Sequence, residues 1–383
     1  MTQKQDEMVI MQILPALEIG GVERGTIEIA AALKENGIKN YVCSNGGKMV
    51  PELERLGVEH IQLPVHSKNP IRMYLNAHKL AKIVKEKGVT LMHVRSRAPA
   101  WAVKWASSMT GVPFMTTFHG VYGVKPAIKK YYNVVMTQGV RMIAISEHVK
   151  RQVLRDYKMD ESKIRLVHRG ADTDRFDPKK VTRNQIEDLM REHNIPEDKP
   201  IIMLQGRLTH WKGQLALIEA LKKMKHKDVT VLFIGHHQGR TEYFDTLMAK
   251  INTLPPQTKV LIFALPGKDM PTVNKLSDIV VSASLKPEPF GRAMPEAQAM
   301  GKIVVAFNHG GACETVEDGK TGFLVAPGDT DALAKKLDEI LDMSVGARKK
   351  IEQAAAKSVQ ANFSIKKMQE KTIAVYKEVQ RCR

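Results

Sequence analysis

Asp278-Ile-Val-Val-Ser-Ala-Ser-Leu-Lys-Pro-Glu288-Pro-Phe-Gly-Arg-Ala-Met-Pro-Glu296 is the stretch that decides the fold. Its first part, Asp278 to Ser282, is short, apolar and β-branched, which predicts a buried strand. Ala293 to Met300 consists of helix formers and halts at Gly301, a residue suited to the left-handed position past a helix end. Glu288 then falls in the loop at the carboxyl end of a strand, with Phe290-Gly291 in a turn and Glu296 on the following helix. Open α/β sheets bind ligands at that edge. Backbone N–H groups near Gly291 stand at a helix start, where hydroxyl or phosphate oxygens can accept from them. Two glutamates at this spacing equally describe a solvated helix face, so their company must decide.

Outward from this stretch the pattern alternates strand and helix almost throughout. Toward the amino terminus the strand-like runs are Val9–Leu14, Asn40–Cys43, His60–Leu63, Leu91–Val94, Phe114–Phe118, Met142–Ile145 and Ile164–Val167. A second series begins at Pro200, with Ile201–Gln205, Val229–Ile234, Val260–Phe263, Ile279–Ser282 and Ile303–Ala306. Both series predict doubly wound parallel sheets. The charged, proline-bearing stretch 179–199 reads as a linker between domains 1–178 and 200–362. The residues from Asp331 onward are helical in pattern. Asp318 to Asp329 reads as a hairpin or turn, and Ser146 as the cap of a helix reaching Tyr157.

A chain of 383 residues exceeds one ordinary core, which agrees with two domains. No apolar run approaches a membrane span, and the polar start lacks the apolar stretch of a secretory signal. Cys43, Cys313 and Cys382 are too scattered for a disulfide framework or a zinc site and suit a reducing cytoplasm. The net charge of +18 is unevenly placed: residues 61–150 hold fourteen Lys or Arg against Glu86 and Glu147. That half should attract a polyanion: nucleic acid, an anionic membrane surface or an acidic glycolipid. Nucleic acid is disfavoured, because aromatic content is only 5% and no binding module is present.

Gln205-Gly206-Arg207-Leu-Thr-His-Trp-Lys212-Gly213 follows the first strand of the second series and opens a helix. Glycine admits an anion close to the backbone; Arg207 offers a forked donor and Lys212 a compact charge, a pair suited to a diphosphate. A solvated loop is the alternative. Gly20-Gly21 sits at a similar turn but lacks the Gly-x-Gly-x-x-Gly spacing, so a nicotinamide or flavin cofactor is poorly supported. His119, at the end of an apolar strand and before Gly120, is either a crevice-facing ligand or a locally bonded side chain.

Arg207 with Lys212, Glu288 with Glu296, the turn Gly310-Gly311…Glu314 and the stretch Asp318…Asp329 together resemble the family 4 glycosyltransferases, retaining enzymes of the GT-B fold. The likeness covers essentially the whole chain, by specific motifs in the carboxy-terminal half and mainly by layout in the amino-terminal half. It implies two Rossmann-like domains facing across a cleft, with residues 363–383 returning to the first. It implies that Arg207 and Lys212, beside Gly206, bind the diphosphate of a nucleotide-sugar donor, most simply a UDP-sugar. Glu288 would hold hydroxyls of the transferred sugar, helped by the backbone at Phe290 and Gly291. Glu296, near Arg292, would bind the ribose; His119 would touch the sugar, and Gly20 and Gly21 would line the cleft floor. The departing diphosphate would accept the acceptor's proton, and two cations would replace a divalent metal. No cofactor and no metal are therefore expected. A sugar-nucleotide epimerase on the same scaffold stays open.

The basic half bears on the acceptor. Pro70 to Gly88 predicts a helix bearing Arg72, Lys79, Lys82, Lys85 and Lys87, with Ile71, Leu75, Ile83 and Val84 packed inward, which by itself reads as a solvated cationic face. Lys125-Pro-Ala-Ile-Lys129-Lys130-Tyr-Tyr132 mixes cations with aromatics, as membrane interfaces do. Trp101 and Trp105 are expected in the core. The expectation is a cytoplasmic protein, peripheral on the inner face of a bacterial membrane, glycosylating a lipid-linked or lipopolysaccharide-core acceptor. A soluble small acceptor is the nearest alternative.

Overall fold

The computed structural model describes residues 7–381; the polar start before Glu7 and Cys382 lie outside them. The chain divides into two compact units. One ends at His168 and takes up the chain again from Met368; the other runs from Arg169 to Lys367.

The first unit holds β1 (Val9–Ile13), β2 (Lys39–Ser44), β3 (Glu59–Gln62), β4 (Leu91–Val94), β5 (Phe114–Phe118), β6 (Met142–Ala144) and β7 (Ile164–Leu166). They form one parallel sheet in the order β3-β2-β1-β4-β5-β6-β7. β1, β4 and β5 are buried at every position, as a sheet covered on both faces requires. The order reverses between β1 and β4, so the connections from these two strands leave in opposite directions. Ser146 Oγ accepts the Val149 N–H at 3.1 Å and opens the Glu147–Tyr157 helix as predicted.

Pro70–Glu86 corrects one expectation. Its buried face is Met73, Asn76, Ala77, Leu80, Ala81 and Val84, a complete 3.6-period stripe. Ile71 and Leu75 fall off that stripe and are exposed. Trp101 and Trp105, expected in the core, are half-buried on the Arg97–Thr110 helix, whose inner face is built of alanines and Val103.

The closing helix, Ile365–Arg381, places Met368, Ile373, Tyr376 and Val379 against Ile10, Ile29, Leu33 and Leu91 of this unit. The fully buried Tyr376 hydroxyl is 2.6 Å from His93 Nδ1, and His93 Nε2 lies 2.7 Å from Thr117 Oγ1. Burial holds His93 neutral, well below its usual range. Glu378, on the same helix, accepts from Arg165 and from Arg141 Nε at 2.7 Å; these bonds outweigh partial burial and draw its carboxyl down to about 2.

The second unit holds β8 (Ile201–Gln205), β9 (Thr230–Ile234), β10 (Lys259–Phe263), β11 (Ile279–Ser282), β12 (Ile303–Phe307) and β13 (Phe323–Val325). Its parallel sheet runs β10-β9-β8-β11-β12-β13, reversing between β8 and β11. β13 was not expected. Asp318 to Asp329 is no hairpin: Asp318 bridges Gly322, and the chain then adds an edge strand parallel to β12. Gly322 makes this approach possible, since a Cβ there would lie 2.5 Å from a Val304 methyl. Residues 179–199 also differ from a bare linker: a Thr182–Gln185 capping box opens the Arg183–His193 helix within the second unit. The unit boundary falls near 169 because Ala171 pairs with Ser364, giving its N–H to Phe363 O at 2.7 Å.

Candidate active site

The β8/β11 reversal is where side chains of opposite charge meet. Connections leaving two neighbouring strands in opposite directions open a crevice at their carboxyl ends. Gly206, Arg207 and Lys212 follow β8, and Ser284 and Glu288 follow β11. Lys212 Nζ donates to Glu288 Oε1 at 2.7 Å, with the two side chains only 15% and 17% exposed. Ser284 Oγ donates to the same oxygen at 2.5 Å. The Lys212 ammonium stands 4.6 Å from the Trp211 ring centre and the Arg207 guanidinium 6.0 Å from it, so one indole serves both cations.

Backbone contacts fix these loops together. Leu285 N–H donates to Trp211 O at 2.7 Å, joining the loop after β11 to the loop after β8. Gly213, at φ +77°, lets them touch: a Cβ there would lie 1.7 Å from Ala283 O. Gly311 N–H donates to Glu288 O at 2.9 Å, and His309 Nε2 is 2.6 Å from Ser284 O. The loop after β12 therefore braces the loop that carries Glu288. Fully buried Gln214 donates to Arg207 O at 3.1 Å and accepts from the Tyr243 hydroxyl at 2.9 Å, which fixes the backbone beneath Arg207. A cavity of about 640 Å³ opens beside it, lined by Arg207, Thr209, His210, Trp211, Arg240 and Tyr243.

Of the residues singled out in sequence, Gly206, Arg207, Lys212 and Glu288 share this crevice, with buried Phe290 and Gly291 (φ +80°) just beyond. Glu296 is engaged elsewhere: it is 6% exposed and accepts from Arg292 at 2.7 Å, one turn back on the Ala293–Ala299 helix boundary. His119 lies half-buried at the end of β5, and Gly20-Gly21 opens the Gly21–Glu35 helix after β1, both in the first unit. A Cβ at Gly21 would meet nothing within 4 Å. Arg72, Lys79, Lys82, Lys125, Lys129 and Lys130 are all exposed on the first unit. Ser284, Trp211 and His309 drew no role from sequence; a serine four residues before a loop glutamate has no diagnostic spacing. The expectation of metal independence also passed over an Asp-x-Asp pair, Asp172-Thr173-Asp174. Asp172 Oδ1 accepts the Arg175 N–H at 3.0 Å, the bond of a tight turn. Among the described residues no group of three or more His, Cys, Asp or Glu is placed to hold a metal.

Residues 185–358 match the family model described as Glycosyl transferases group 1, and residues 19–175 match Glycosyltransferase Family 4. A glycosyltransferase from Rickettsia africae ESF-5, known as a crystal structure, is 41% identical and superposes with a TM-score of 0.91, covering 98% of this chain and 99% of that one. Spore coat protein SA of Bacillus subtilis is 24% identical over 303 residues, 77% of this chain and 80% of that protein. Anabaena HepE in complex with UDP-glucose, 21% identical, superposes with a TM-score of 0.81 over 97% of this chain and 100% of that one.

Proposed function

The chain belongs to the group 1, family 4 glycosyltransferases, with two parallel-sheet units of the GT-B fold, and from that premise we propose a retaining transfer from a UDP-sugar to a membrane-presented glycan. The observation that carries the donor assignment is the Lys212–Glu288 contact at the β8/β11 reversal, with Arg207 across the same indole. Lys212 has three N–H donors and keeps two for a phosphate oxygen while Glu288 holds the third. Glu288 Oε1 is occupied by Lys212 and Ser284; Oε2 is the acceptor left for a sugar hydroxyl. The same carboxylate thus links the sugar grip to the diphosphate grip.

On this reading, Arg207 and Lys212 neutralise the charge that grows on the diphosphate as the glycosidic bond breaks. Preorganised cations stabilise such charge without reorganising at the moment of reaction. The leaving phosphate oxygen takes the acceptor's proton, so no carboxylate pair flanking the bond is needed, unlike a glycosidase. Glu296 serves the ribose through its Arg292-fixed carboxylate, and the backbone at Phe290 and Gly291 completes the sugar subsite. Within the first unit, Gly20, Gly21 and His119 are proposed as ligand contacts. The proposal includes no metal and no cofactor.

The acceptor reading rests on charge. Six exposed cations, Arg72, Lys79, Lys82, Lys125, Lys129 and Lys130, would draw the first unit to an anionic inner leaflet carrying a lipid-linked or lipopolysaccharide-core glycan. No helix among the described residues is long and apolar enough to cross a membrane. A thermal-shift panel of nucleotide sugars tests the donor half, since a true donor stabilises by mass action. A shift with UDP-sugars that vanishes in Lys212→Ala is expected; no shift with any nucleotide sugar overturns the assignment.

A further inference from the structure

The cationic helices of the first unit carry an apolar crest that charge attraction does not require. Pro70–Glu86 exposes Ile71 (71%), Tyr74 (54%) and Leu75 (55%); Ala127–Val134 exposes Ile128 (73%) and Tyr131 (70%). The Arg97–Thr110 helix joins them. Tyr74 lies 6.1 Å from Trp105, Trp105 5.9 Å from Trp101, and Trp101 5.7 Å from Tyr131, ring centre to ring centre. Trp101 Nε1 donates to Tyr132 O at 3.0 Å, so its polar atom is satisfied within the half-exposed ridge. The result is an aromatic ridge with branched aliphatics at both ends. The three helices hold eight Lys or Arg against one acid, Glu86, which already pairs with Lys82 at 3.7 Å. Lys104 stands 5.1 Å from the Trp101 ring centre.

These features select one occupant. A free polyanion would neutralise the lysines but leave the isoleucines in water. A bilayer satisfies both: anionic headgroups meet the ammonium groups, the interfacial zone takes indole and phenol rings, and the acyl boundary takes Ile71 and Ile128. We propose that this ridge inserts into the interfacial zone of an anionic bilayer, so that apolar burial anchors the first unit and charge only steers it. The inference deepens the membrane-acceptor reading and rests on it for the choice of surface; insertion is the added claim.

The test uses the full chain with phosphatidylglycerol/phosphatidylcholine vesicles. In about 1 M salt the screening length falls to about 3 Å, so purely electrostatic binding disappears while buried apolar contacts persist. The wild-type protein should retain a salt-resistant bound fraction. Ile71→Ser with Ile128→Ser should lose it, partitioning about tenfold more weakly for each isoleucine removed. Both side chains face solvent, so the melting temperature should not change. Trp101 and Trp105 are two of the three tryptophans, and in a Trp211→Phe background brominated lipids should quench their emission, a readout independent of the serine variants. Wild-type binding that salt removes completely, without quenching, overturns insertion and leaves the charge reading standing. A salt-resistant fraction unaltered in the double variant also overturns it. No sedimentation even at low salt removes both.

Discussion

The Lys212–Glu288 pair allows the proposed donor site to be weighed with and without its ligand. The perturbation is a double-mutant cycle of Lys212→Met and Glu288→Gln. At 2.7 Å and an effective dielectric of about 20, the bare attraction is about 6 kcal/mol. Side chains only 15% and 17% exposed have surrendered most of their hydration, which offsets most of that gain. The pair lies between exposed pairs, worth about 0.2–1 kcal/mol, and fully buried ones, so a coupling of about 1–2 kcal/mol is expected. Urea unfolding, followed through Trp211 in a background lacking Trp101 and Trp105, measures it in the second unit. With saturating UDP the diphosphate competes for the Lys212 ammonium, and the coupling should fall by at least about half. Lys212→Met alone should weaken UDP about tenfold to a hundredfold, the loss of one charge-assisted bond. A coupling indifferent to UDP, together with wild-type UDP affinity in Lys212→Met, would show the pair to be structural only and the diphosphate to lie elsewhere.

Three other outcomes are expected. Arg207→Ala should lower transfer turnover by about 10²–10³-fold with little change in melting temperature, because the side chain is exposed; unchanged turnover in the folded variant would remove its leaving-group role. Gly213→Ala should destabilise the second unit by about 3 kcal/mol or more, since it adds left-handed strain to a collision with Ala283 O; an unfolding midpoint like wild type would contradict this. The closing helix should loosen in acid in two steps. His93, held neutral, gives stability that is full above its ordinary 6.5 and is lost as pH falls below it. Glu378, drawn down to about 2, gives stability present above the ordinary 4.5 and lost as pH falls toward about 2. With partial exposure discounted, Glu378→Gln should cost about 1–2 kcal/mol at pH 7 and nothing near pH 2, read from urea midpoints across pH.

What could be read from sequence was what local chemistry determines. β4, β5, β8 and β11 fall where their apolar runs place them, because a strand covered on both faces needs an unbroken run. Ser146 caps the helix predicted for it, since a cap is a contact within three residues. Long-range closure was not legible. β13 is only three residues and gains its identity from β12, while Ile71 and Leu75 look like core residues until the competing stripe of Met73, Ala77, Leu80 and Val84 is counted. In the site, Arg207, Lys212 and Glu288 were legible as charged residues at strand ends, whereas the Lys212–Glu288 contact was not. It depends on Gly213, Gly311 and His309, which act through backbone atoms of loops far away in sequence.

The two sheets share one plan, and the difference between their reversal points is why the proposed donor site is put in the second. At the β1/β4 reversal the charge beyond the strand belongs to Arg95, which is 3% exposed and donates to fully buried Gln12 at 2.9 Å. That guanidinium is buried in the fold and bonds an amide of the neighbouring strand. At the β8/β11 reversal Arg207 stays exposed, and Lys212 is held by a single carboxylate that a ligand can share. A cation buried on a fixed partner makes structure; one left half-buried on a shareable partner suits the proposed diphosphate contact. Exchanging the partner at Lys212 for a non-ionic one therefore tests function at the point where the two units differ most.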